Sequence, residues 1–258
     1  MASLPRLING EHLEALPASL ARARGNATAR ALAGADWLIR RKADGRFLAV
    51  RRGDTQHELQ RGALDPVAKA DLRDLAIAAA SGEAPRPLSG LIARLHELGL
   101  DETGYAERTG LELVPEPHVL AGAGRDRYAR PLWLTAAAAA AWTRLRAAAL
   151  AEDVVLEAIS GYRSHDYQLG IFRRKRARGL SVEDILQVNA APGFSEHHGG
   201  RALDIGTPGE PPAEESFEAT PAFAWLESHA GDFGFVMSYP RDNPYGIVYE
   251  PWHWRFEG

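Results

Sequence analysis

The sequence predicts an α+β fold for its second half, and three observations support this prediction. Four short segments, at residues 154–159, 201–205, 235–239 and 246–256, have the composition of strands. Segments with helix-capping residues separate most of them. The last two are joined by a short connection rich in proline, aspartate and asparagine, which is typical of antiparallel neighbours. We therefore expect a small antiparallel sheet flanked by helices.

The first half carries a different pattern. Residues 17–24 are predicted to form a short helix that ends at Gly25. The segments 37–42 and 46–50 flank an Asp-Gly pair and are typical of a β-hairpin. Two helices are predicted after it, at residues 66–80 and 87–98.

Helix signals are clearest in the second half. Thr135 can cap an alanine-rich helix that runs to residue 150, in which Trp142 belongs to a buried stripe. Residues 166–178 should form the next helix, directly after the strand that carries Ser160 to Arg163 at its end. Thr220 is the expected cap of a further helix, which Gly231 ends.

Composition excludes several classes of function. The 258 residues are 45% hydrophobic and 25% charged, as in a globular protein. No cysteine is present, so disulfides, thiolate zinc sites and cysteine nucleophiles are excluded. The net charge of −4 gives no general attraction to nucleic acid, and no apolar segment is long enough to span a membrane.

The most informative stretch is FSEHHGGRALD at residues 194–204, in which His197 and Asp204 lie seven residues apart across a Gly-Gly bend. Gly200 permits a sharp turn, and period-two alternation in a following strand would direct Asp204 back toward His197. His253 near the C-terminus can supply a third ligand. Two histidines and a carboxylate form a ligand set that catalytic zinc uses, with one position left for water.

Glu250 lies three residues before His253 and is expected to act as a general base rather than as a fourth ligand. In an ideal strand these two side chains would face opposite ways. Pro251 marks an irregular segment in which they can converge. A carboxylate beside zinc can accept the proton of the water that attacks a carbonyl.

Three segments resemble the zinc D-alanyl-D-alanine carboxypeptidases of the VanY type, in the M15 or LAS group of peptidases. Residues 195–204 match S-x-H-x-x-G-x-A-x-D, and Glu250 with His253 matches E-x-x-H. Residues 160–164, SGYRS, followed by Gln168, match a third segment. The resemblance implies a LAS or hedgehog-like zinc peptidase domain, preceded here by an N-terminal α+β extension or small domain.

The resemblance also implies roles for individual residues. Zinc is expected on His197, Asp204 and His253, and catalysis on Glu250 and Arg163. The guanidinium of Arg163 suits a developing oxyanion or a substrate carboxylate. The residues expected to bind substrate are Ser195, Gln168, Tyr162 and Trp252.

The expected reaction is zinc-dependent release of the terminal D-alanine from peptidoglycan stem peptides or muropeptides. L,D-carboxypeptidase or endopeptidase activity on the same peptides is the alternative. A non-catalytic, zinc-containing cell-wall binding module is the alternative from another class. Residues 1–25 contain no secretory signal, so the compartment is periplasmic or cell envelope if a signal has been removed, and otherwise cytoplasmic.

Two further alternatives stay open at this level. His198 could compete with His197 as a ligand, whereas the remaining histidines lack partners at ligand spacing. The basic run at residues 173–178 is either a solvated helix face or a contact for an anionic partner, such as a teichoic or lipid-phosphate polymer.

The motifs divide the chain into an N-terminal accessory region, residues 1–115, and a carboxypeptidase-like catalytic domain, residues 116–258. The first part is either a small domain that recognises the cell wall or a partner, or an extension packed on the catalytic core. The sequence does not predict an oligomeric state.

Overall fold

A computed structural model describes residues 4–186 and 190–258 of the chain. Within these ranges the chain forms two antiparallel sheets with helices packed against them. The strands are β1 (Arg6–Asn9), β2 (Leu13–Pro17), β3 (Trp37–Arg41), β4 (Phe47–Arg52), β5 (Thr55–Glu58), β6 (Val119–Arg125), β7 (Pro131–Leu134), β8 (Glu157–Ser160), β9 (Ala202–Gly206), β10 (Phe235–Met237) and β11 (His253–Phe256). The α-helices are α1 (Asn26–Leu32), α2 (Pro66–Ser81), α3 (Ser89–Glu97), α4 (Glu102–Thr109), α5 (Ala136–Ala151), α6 (His165–Ala177), α7 (Val182–Leu186) and α8 (Pro221–His229).

The larger sheet has seven strands in the order β5-β4-β3-β2-β1-β6-β7. Its central pairing joins β1 to β6, with Leu7 opposite Leu120. Strands from both sides of the expected boundary at residues 115/116 therefore share one hydrogen-bonded sheet. The division into an accessory region and a catalytic domain stays a prediction.

The smaller sheet has four strands in the order β10-β11-β9-β8, all antiparallel. This sheet, with α5 and α8 packed beside it, confirms the predicted α+β fold with a small antiparallel sheet flanked by helices. Its register places Asp204 of β9 opposite both His253 of β11 and Ser160 of β8. The middle of the sheet thus carries two of the expected metal ligands.

Helix α5 forms the centre of the main hydrophobic core. The side chain of Thr135 accepts a hydrogen bond from the backbone N of Ala138 and caps the helix, as predicted. Trp142 and Leu145 are fully buried among α8, the strands β6 and β7 of the larger sheet, and the smaller sheet. The small alanines allow these layers to approach closely, so the larger sheet and the metal-carrying sheet share one core.

Predictions for the N-terminal part were partly wrong. The hairpin of β3 and β4 and the helices α2 and α3 are confirmed. The helix predicted at residues 17–24 is absent: Pro17 ends β2, and only a 3₁₀ turn at Ala18–Leu20 follows. Gly25 is the N-cap of α1 and does not end a helix. Its φ of 162° is extended, whereas a glycine that ends a helix commonly has a left-handed conformation.

In the second half, the strand expected at residues 235–239 ends at Met237, and two other predicted strands are also shorter than expected. The strand expected at residues 154–159 begins only at Glu157, and the strand expected at 246–256 is limited to His253–Phe256. The irregular backbone at Pro251 accounts for the last of these differences. Among the described residues no helix has the length and hydropathy of a membrane span.

Candidate metal centre and active site

Three residues from three elements meet at the expected metal centre. His197 lies in a 3₁₀ turn, Glu196–Gly199, that leads into β9, while Asp204 and His253 lie in the neighbouring strands β9 and β11. One ligand atom from each lies within 4.8 Å of the others, and all three residues are buried. The structure thus brings together the ligand set that the sequence predicts.

The bend between His197 and β9 depends on Gly200. Its φ is +66°, a left-handed conformation that residues with a Cβ rarely adopt. A Cβ at this position would lie 2.4 Å from Leu120 Cδ2. Glycine therefore permits both the turn and its close contact with β6, and this contact places His197 over Asp204.

The hydrogen bond on the far side of the His197 ring sets its tautomer. Nδ1–H donates to the carbonyl oxygen of Gly161 at 2.8 Å, which leaves the Nε2 lone pair directed into the site. Nε2 is buried and has no hydrogen-bond partner among the described residues, although it lies 3.2 Å from Asp204 Oδ1. A buried nitrogen acceptor without a donor is suited to ligate a metal ion.

His253 is oriented in the same way by a residue that the sequence analysis missed. Its Nδ1 lies 3.2 Å from Asp204 Oδ1, and its Nε2–H donates to Glu196 Oε2 at 2.9 Å. Glu196 is itself held by Ser238 at 2.6 Å and Arg255 at 2.9 Å. Carboxylates that bind the outer nitrogen of a metal-ligating histidine fix its orientation and raise its basicity.

The spacing of the donor atoms fits zinc. Two nitrogens each lie 3.2 Å from the same oxygen of Asp204. In tetrahedral zinc sites with bonds of about 2.0–2.1 Å, ligand atoms lie about 3.3 Å apart. One oxygen and two imidazole nitrogens also leave a fourth position for a reactant. The residues present therefore fit a catalytic rather than a closed structural zinc site.

Burial and charge set the protonation states of the ligands. Burial, aided by the nearby Arg163, lowers the pKa of His197 to about 4, so its ring is neutral. Burial raises the pKa of Asp204, but its close contact with His197 and the hydrogen bond from His253 outweigh this effect and hold the pKa well below its usual range. Burial lowers the pKa of His253, yet hydrogen bonds to Asp204 and Glu196 raise it overall to about 9. Coordination by His253 would therefore release a proton.

Glu250 lies beside this group, as predicted. Its Oε2 is 3.8 Å from His253 Nδ1, and the backbone turn from Glu250 O to His253 N closes at 3.0 Å. Pro251 lies within this turn, so the two side chains converge. Burial, opposed by the nearby His253, raises the pKa of Glu250 above its ordinary value, which suits a group that must accept a proton.

Arg163 follows the end of β8, and its positive charge lowers the pKa of both His197 and Glu250. Its backbone N donates to His197 O at 3.2 Å, which ties the arginine to the 3₁₀ turn. Its Nε is buried and has no hydrogen-bond partner among the described residues. A guanidinium with a free buried donor can bind an oxyanion or a carboxylate.

The residues expected to bind substrate have diverse surroundings. Ser195 is buried at the start of the 3₁₀ turn, and Trp252 is half-buried against the main core. Gln168 donates from Nε2 to Ala190 O at 2.8 Å. Tyr162 packs with the apolar cluster around Leu7, on the larger sheet. Their roles toward substrate stay predictions.

His198 does not compete for the metal. Its Nδ1–H donates to Arg163 O at 2.6 Å, and its Nε2 accepts from Gly193 N at 3.2 Å. Both ring nitrogens are thus occupied within the fold. The hydrogen bonds hold the loop that carries Arg163 against the turn that carries His197, which gives His198 a structural role.

The fold and the site define a class of protein: an α+β domain with a buried His-Asp-His metal-binding group and an adjacent carboxylate. A family model described as "VanY: D-alanyl-D-alanine carboxypeptidase" matches residues 131–258. The bifunctional D-Ala-D-Ala dipeptidase and carboxypeptidase VanXYC of Enterococcus gallinarum is 31% identical over 149 residues, which cover 55% of this chain and 75% of that protein. The chain belongs to the VanY D-alanyl-D-alanine carboxypeptidase family.

A D-alanyl-D-alanine carboxypeptidase of Enterococcus faecium is 35% identical over 101 residues, which cover 38% of this chain but only 29% of that protein. Among solved structures, the LD-carboxypeptidase LdcB is 34% identical with a TM-score of 0.46, over 49% of this chain and 60% of the other. A mutant vancomycin-resistance D,D-pentapeptidase VanY in complex with Zn(II) is 28% identical with a TM-score of 0.40, over 49% and 74%. The family match begins at β7, so most of the larger sheet lies outside it.

Proposed function

We propose that this protein is a zinc-dependent carboxypeptidase that hydrolyses the terminal D-alanine from peptidoglycan stem peptides. The observation that carries the proposal is the buried group of His197, Asp204 and His253 with Glu250 3.8 Å from His253. Family membership supports the substrate class. Since the chain spans less than a third of the Enterococcus faecium carboxypeptidase, its activity is proposed here from its own site.

Zinc, when bound by His197, Asp204 and His253, lowers the pKa of a coordinated water and polarises a carbonyl. Glu250, whose pKa is raised by burial, accepts the proton of the attacking water. It then returns that proton to the amine as the peptide C–N bond breaks and free D-alanine leaves. The buried carboxylate of Asp204 and the hydrogen bonds of the two histidines keep the ligands in place during both steps.

Arg163 faces the negative charge that develops on the carbonyl oxygen or binds the terminal carboxylate. Its positive charge lowers the pKa of both His197 and Glu250, which supports this role beside them. A guanidinium that is positioned before reaction stabilises such charge without reorganisation.

The experiment is hydrolysis followed by mass spectrometry. Zinc-loaded protein should release one alanine from a muropeptide ending in D-Ala-D-Ala and leave a muropeptide ending in a single D-Ala intact. Release only from the shorter peptide would assign L,D specificity, and cleavage within the stem would assign endopeptidase activity. A protein that binds zinc and both muropeptides but cleaves neither would be the binding module.

Metal analysis tests the ligand assignment in parallel. His197→Ala, Asp204→Ala and His253→Ala should each abolish stoichiometric zinc binding, because the two protein ligands that remain hold the ion poorly. His96→Ala is the matched control, since the His96 side chain is 60% exposed and pairs with Glu102 far from the site. Full zinc occupancy in all three ligand variants would refute the assignment.

A further inference from the structure

Glu116 is a buried carboxylate that takes no part in the proposed mechanism. Its side chain is only 3% exposed, and it precedes the residues 131–258 that the family model matches. One oxygen, Oε2, pairs with Lys42 Nζ, which also donates to Gly10 O at 3.0 Å. Asn9 Nδ2 donates to the same oxygen at 3.3 Å. Contacts with the N-terminal strands and the residues beside them therefore hold this carboxylate in place.

The other oxygen of Glu116 holds the segment that carries Arg163. Oε1 accepts a hydrogen bond from the backbone N of His165, the first residue of α6, at 2.5 Å. Backbone N–H groups in the first turn of a helix have no partner within the helix, and a negative charge is favoured beside them. Glu116 supplies that partner, whereas Ser164 caps a different N–H, that of Tyr167. Arg163 lies only two residues before the N–H that Glu116 holds.

Two histidine rings form a second connection between Glu116 and Arg163. Nδ1 of His165 lies 3.8 Å from Glu116 Oε1. The ring of His165 contacts the ring of His198 nearly at a right angle, with the centroids 4.4 Å apart. Nδ1–H of His198 donates to Arg163 O at 2.6 Å. All of these side chains except that of Arg163 are buried away from solvent, so little space is left for the segment to shift.

The backbone of Arg163 is held on both sides. Its N donates to His197 O at 3.2 Å, and its O accepts from His198. By contrast, the buried Nε of its side chain has no hydrogen-bond partner among the described residues. No hydrogen bond at this atom fixes the guanidinium, so the position of the side chain depends on where the backbone is held.

We propose that Glu116 is a positioning residue for Arg163. The proposal rests on the proposed carboxypeptidase function, in which Arg163 faces a developing oxyanion or a terminal carboxylate. Glu116 fixes the first residue of α6, and this fixes the backbone of Arg163 before it. A displacement of about 1 Å can lower a rate about 100-fold, so a residue that touches no reactant can still control it. Through Glu116, Lys42 and Asn9, the part of the chain that precedes the family match contributes to the active site.

The test compares two double variants that both remove the buried ion pair. The glutamine variant, Lys42→Met with Glu116→Gln, keeps an oxygen that can accept from His165 N. The leucine variant, Lys42→Met with Glu116→Leu, does not. Neither leaves an unpaired buried charge, which would destabilise the fold. The leucine variant should have a kcat/KM for a peptide ending in D-Ala-D-Ala at least about 10-fold below that of the glutamine variant, with the same zinc content. If it does not fold, Lys42→Met with Glu116→Ala replaces it, because water can occupy the space left.

A double-mutant cycle separates positioning from a general loss of structure. When Arg163→Lys is added to both variants, their kcat/KM values should differ by less than about two-fold, because no guanidinium is left to misplace. A general loss of structure would keep the full difference in this background. Asp74→Asn is the matched control and should leave kcat/KM unchanged. Asp74 likewise accepts from a backbone N, that of Glu11, and pairs with a buried cation, Arg86, but both partners lie in the N-terminal part.

The NMR signal of the Arg163 Nε–H provides a readout that needs no hydrolysis. In protein with isotope-labelled arginine, its loss in Arg163→Lys assigns it, and slow hydrogen exchange is expected because this nitrogen is buried. The signal should be the same in wild type and the glutamine variant, and should shift or broaden in the leucine variant. An unchanged signal in the leucine variant, or equal kcat/KM in the two variants, would overturn the proposal. If the wild type cleaves no stem peptide but the signal changes only in the leucine variant, the proposed hydrolysis fails and the positioning role stands.

Discussion

Glu196 decides how His253 is presented to the metal, although it is not itself a ligand in the buried group. One of its carboxylate oxygens accepts from His253 Nε2, and the other pairs with Arg255. Because the outer nitrogen is occupied, Nδ1 is the atom that faces Asp204. The glutamate between Ser195 and His197 therefore orients one of the expected metal ligands, His253.

Glu196→Gln should weaken zinc binding about 10- to 100-fold, because a neutral amide lowers the basicity of the histidine that it orients. Competition with a zinc chelator measures the dissociation constant. Glu257→Gln is the matched control, since Glu257 is exposed and pairs with the same Arg255. An unchanged affinity in Glu196→Gln would show that Arg255, Ser238 and the strand register suffice to orient His253.

Glu250→Gln should retain zinc while the rate of hydrolysis falls by about 10²–10⁴-fold. The amide has nearly the same shape but cannot accept the proton of the attacking water. Metal analysis and steady-state kinetics on the same preparation check both parts. Hydrolysis at the wild-type rate would remove Glu250 from the mechanism, and loss of zinc would make it a ligand.

At the scale of elements, a buried ion pair joins the two halves of the chain. Lys42, just after β3, lies within hydrogen-bond distance of Glu116, and both side chains are almost fully buried. The other oxygen of Glu116 accepts from His165 N at the first residue of α6. The pair thus connects the β3–β4 hairpin to the helix that follows Arg163.

Lys42→Met should destabilise the protein by about 3–5 kcal/mol at pH 7, because it leaves the Glu116 carboxylate buried without its partner. Chemical denaturation measures the free energy of unfolding. Lys69→Met, an exposed lysine on α2, is the control and should change it by less than about 0.5 kcal/mol.

The dependence of stability on pH provides a second test of the Lys42–Glu116 pair, because the direction of the expected change follows from the pKa of Glu116. Burial raises the pKa of Glu116, but Lys42 and His165 outweigh it, so the folded-state pKa lies below the ordinary value of 4.5. A lowered carboxyl pKa stabilises the fold above the unfolded-state pKa, and this contribution is lost as the pH falls toward the folded-state value. In Lys42→Met the hydrogen bonds from His165 N and Asn9 remain, but loss of the Lys42 charge raises the pKa of Glu116 relative to wild type, so acidification from pH 5 should cost the variant less stability than it costs wild type. A parallel pH dependence in the two proteins would contradict this account.

At the scale of the whole molecule, the seven-stranded sheet joins strands of residues 4–115 to β6 and β7 of the expected catalytic domain. β1 pairs with β2 on one side and β6 on the other, and the cluster of Leu7, Leu38 and Leu120 spans the same junction. Of the two sequence-based alternatives for this region, a continuous sheet favours an extension packed on the catalytic core. An independent domain would need a boundary with few hydrogen bonds across it.

We therefore expect β1 and β2 to unfold together with β9 and β11. Hydrogen exchange at increasing urea should give the amides of these strands the same free energy of opening and the same urea dependence. The edge strand β5 is excluded because it is exposed along its whole length. An opening free energy several kcal/mol lower for β1 and β2 would indicate an independent N-terminal domain.

The sequence determined two pairs of site residues by local information, His197 with Asp204 and Glu250 with His253, whereas the meeting of these pairs, with His253 49 positions from Asp204, was an expectation of the resemblance. The Gly-Gly bend lies between His197 and Asp204, and Pro251 lies between Glu250 and His253. Each restricts the backbone to few conformations, so the short separation in sequence predicts that the two side chains lie close together. The same holds for the helix α5, which its Thr135 cap and alanine content specify, and for the β3–β4 hairpin, which an Asp-Gly turn specifies. These predictions needed no knowledge of distant contacts.

Only the tertiary structure decided the features that depend on residues far apart in the chain. Glu196 meets His253 across 57 positions, and Glu116 meets Lys42 across 74. The short strands β1 and β2 are stable only because β6 and β3 supply their hydrogen bonds. The pairing of β2 with β3 extends to Pro17, so the helix predicted at residues 17–24 does not begin there. Long-range pairing is selected by the burial of the whole core, and no local pattern encodes it.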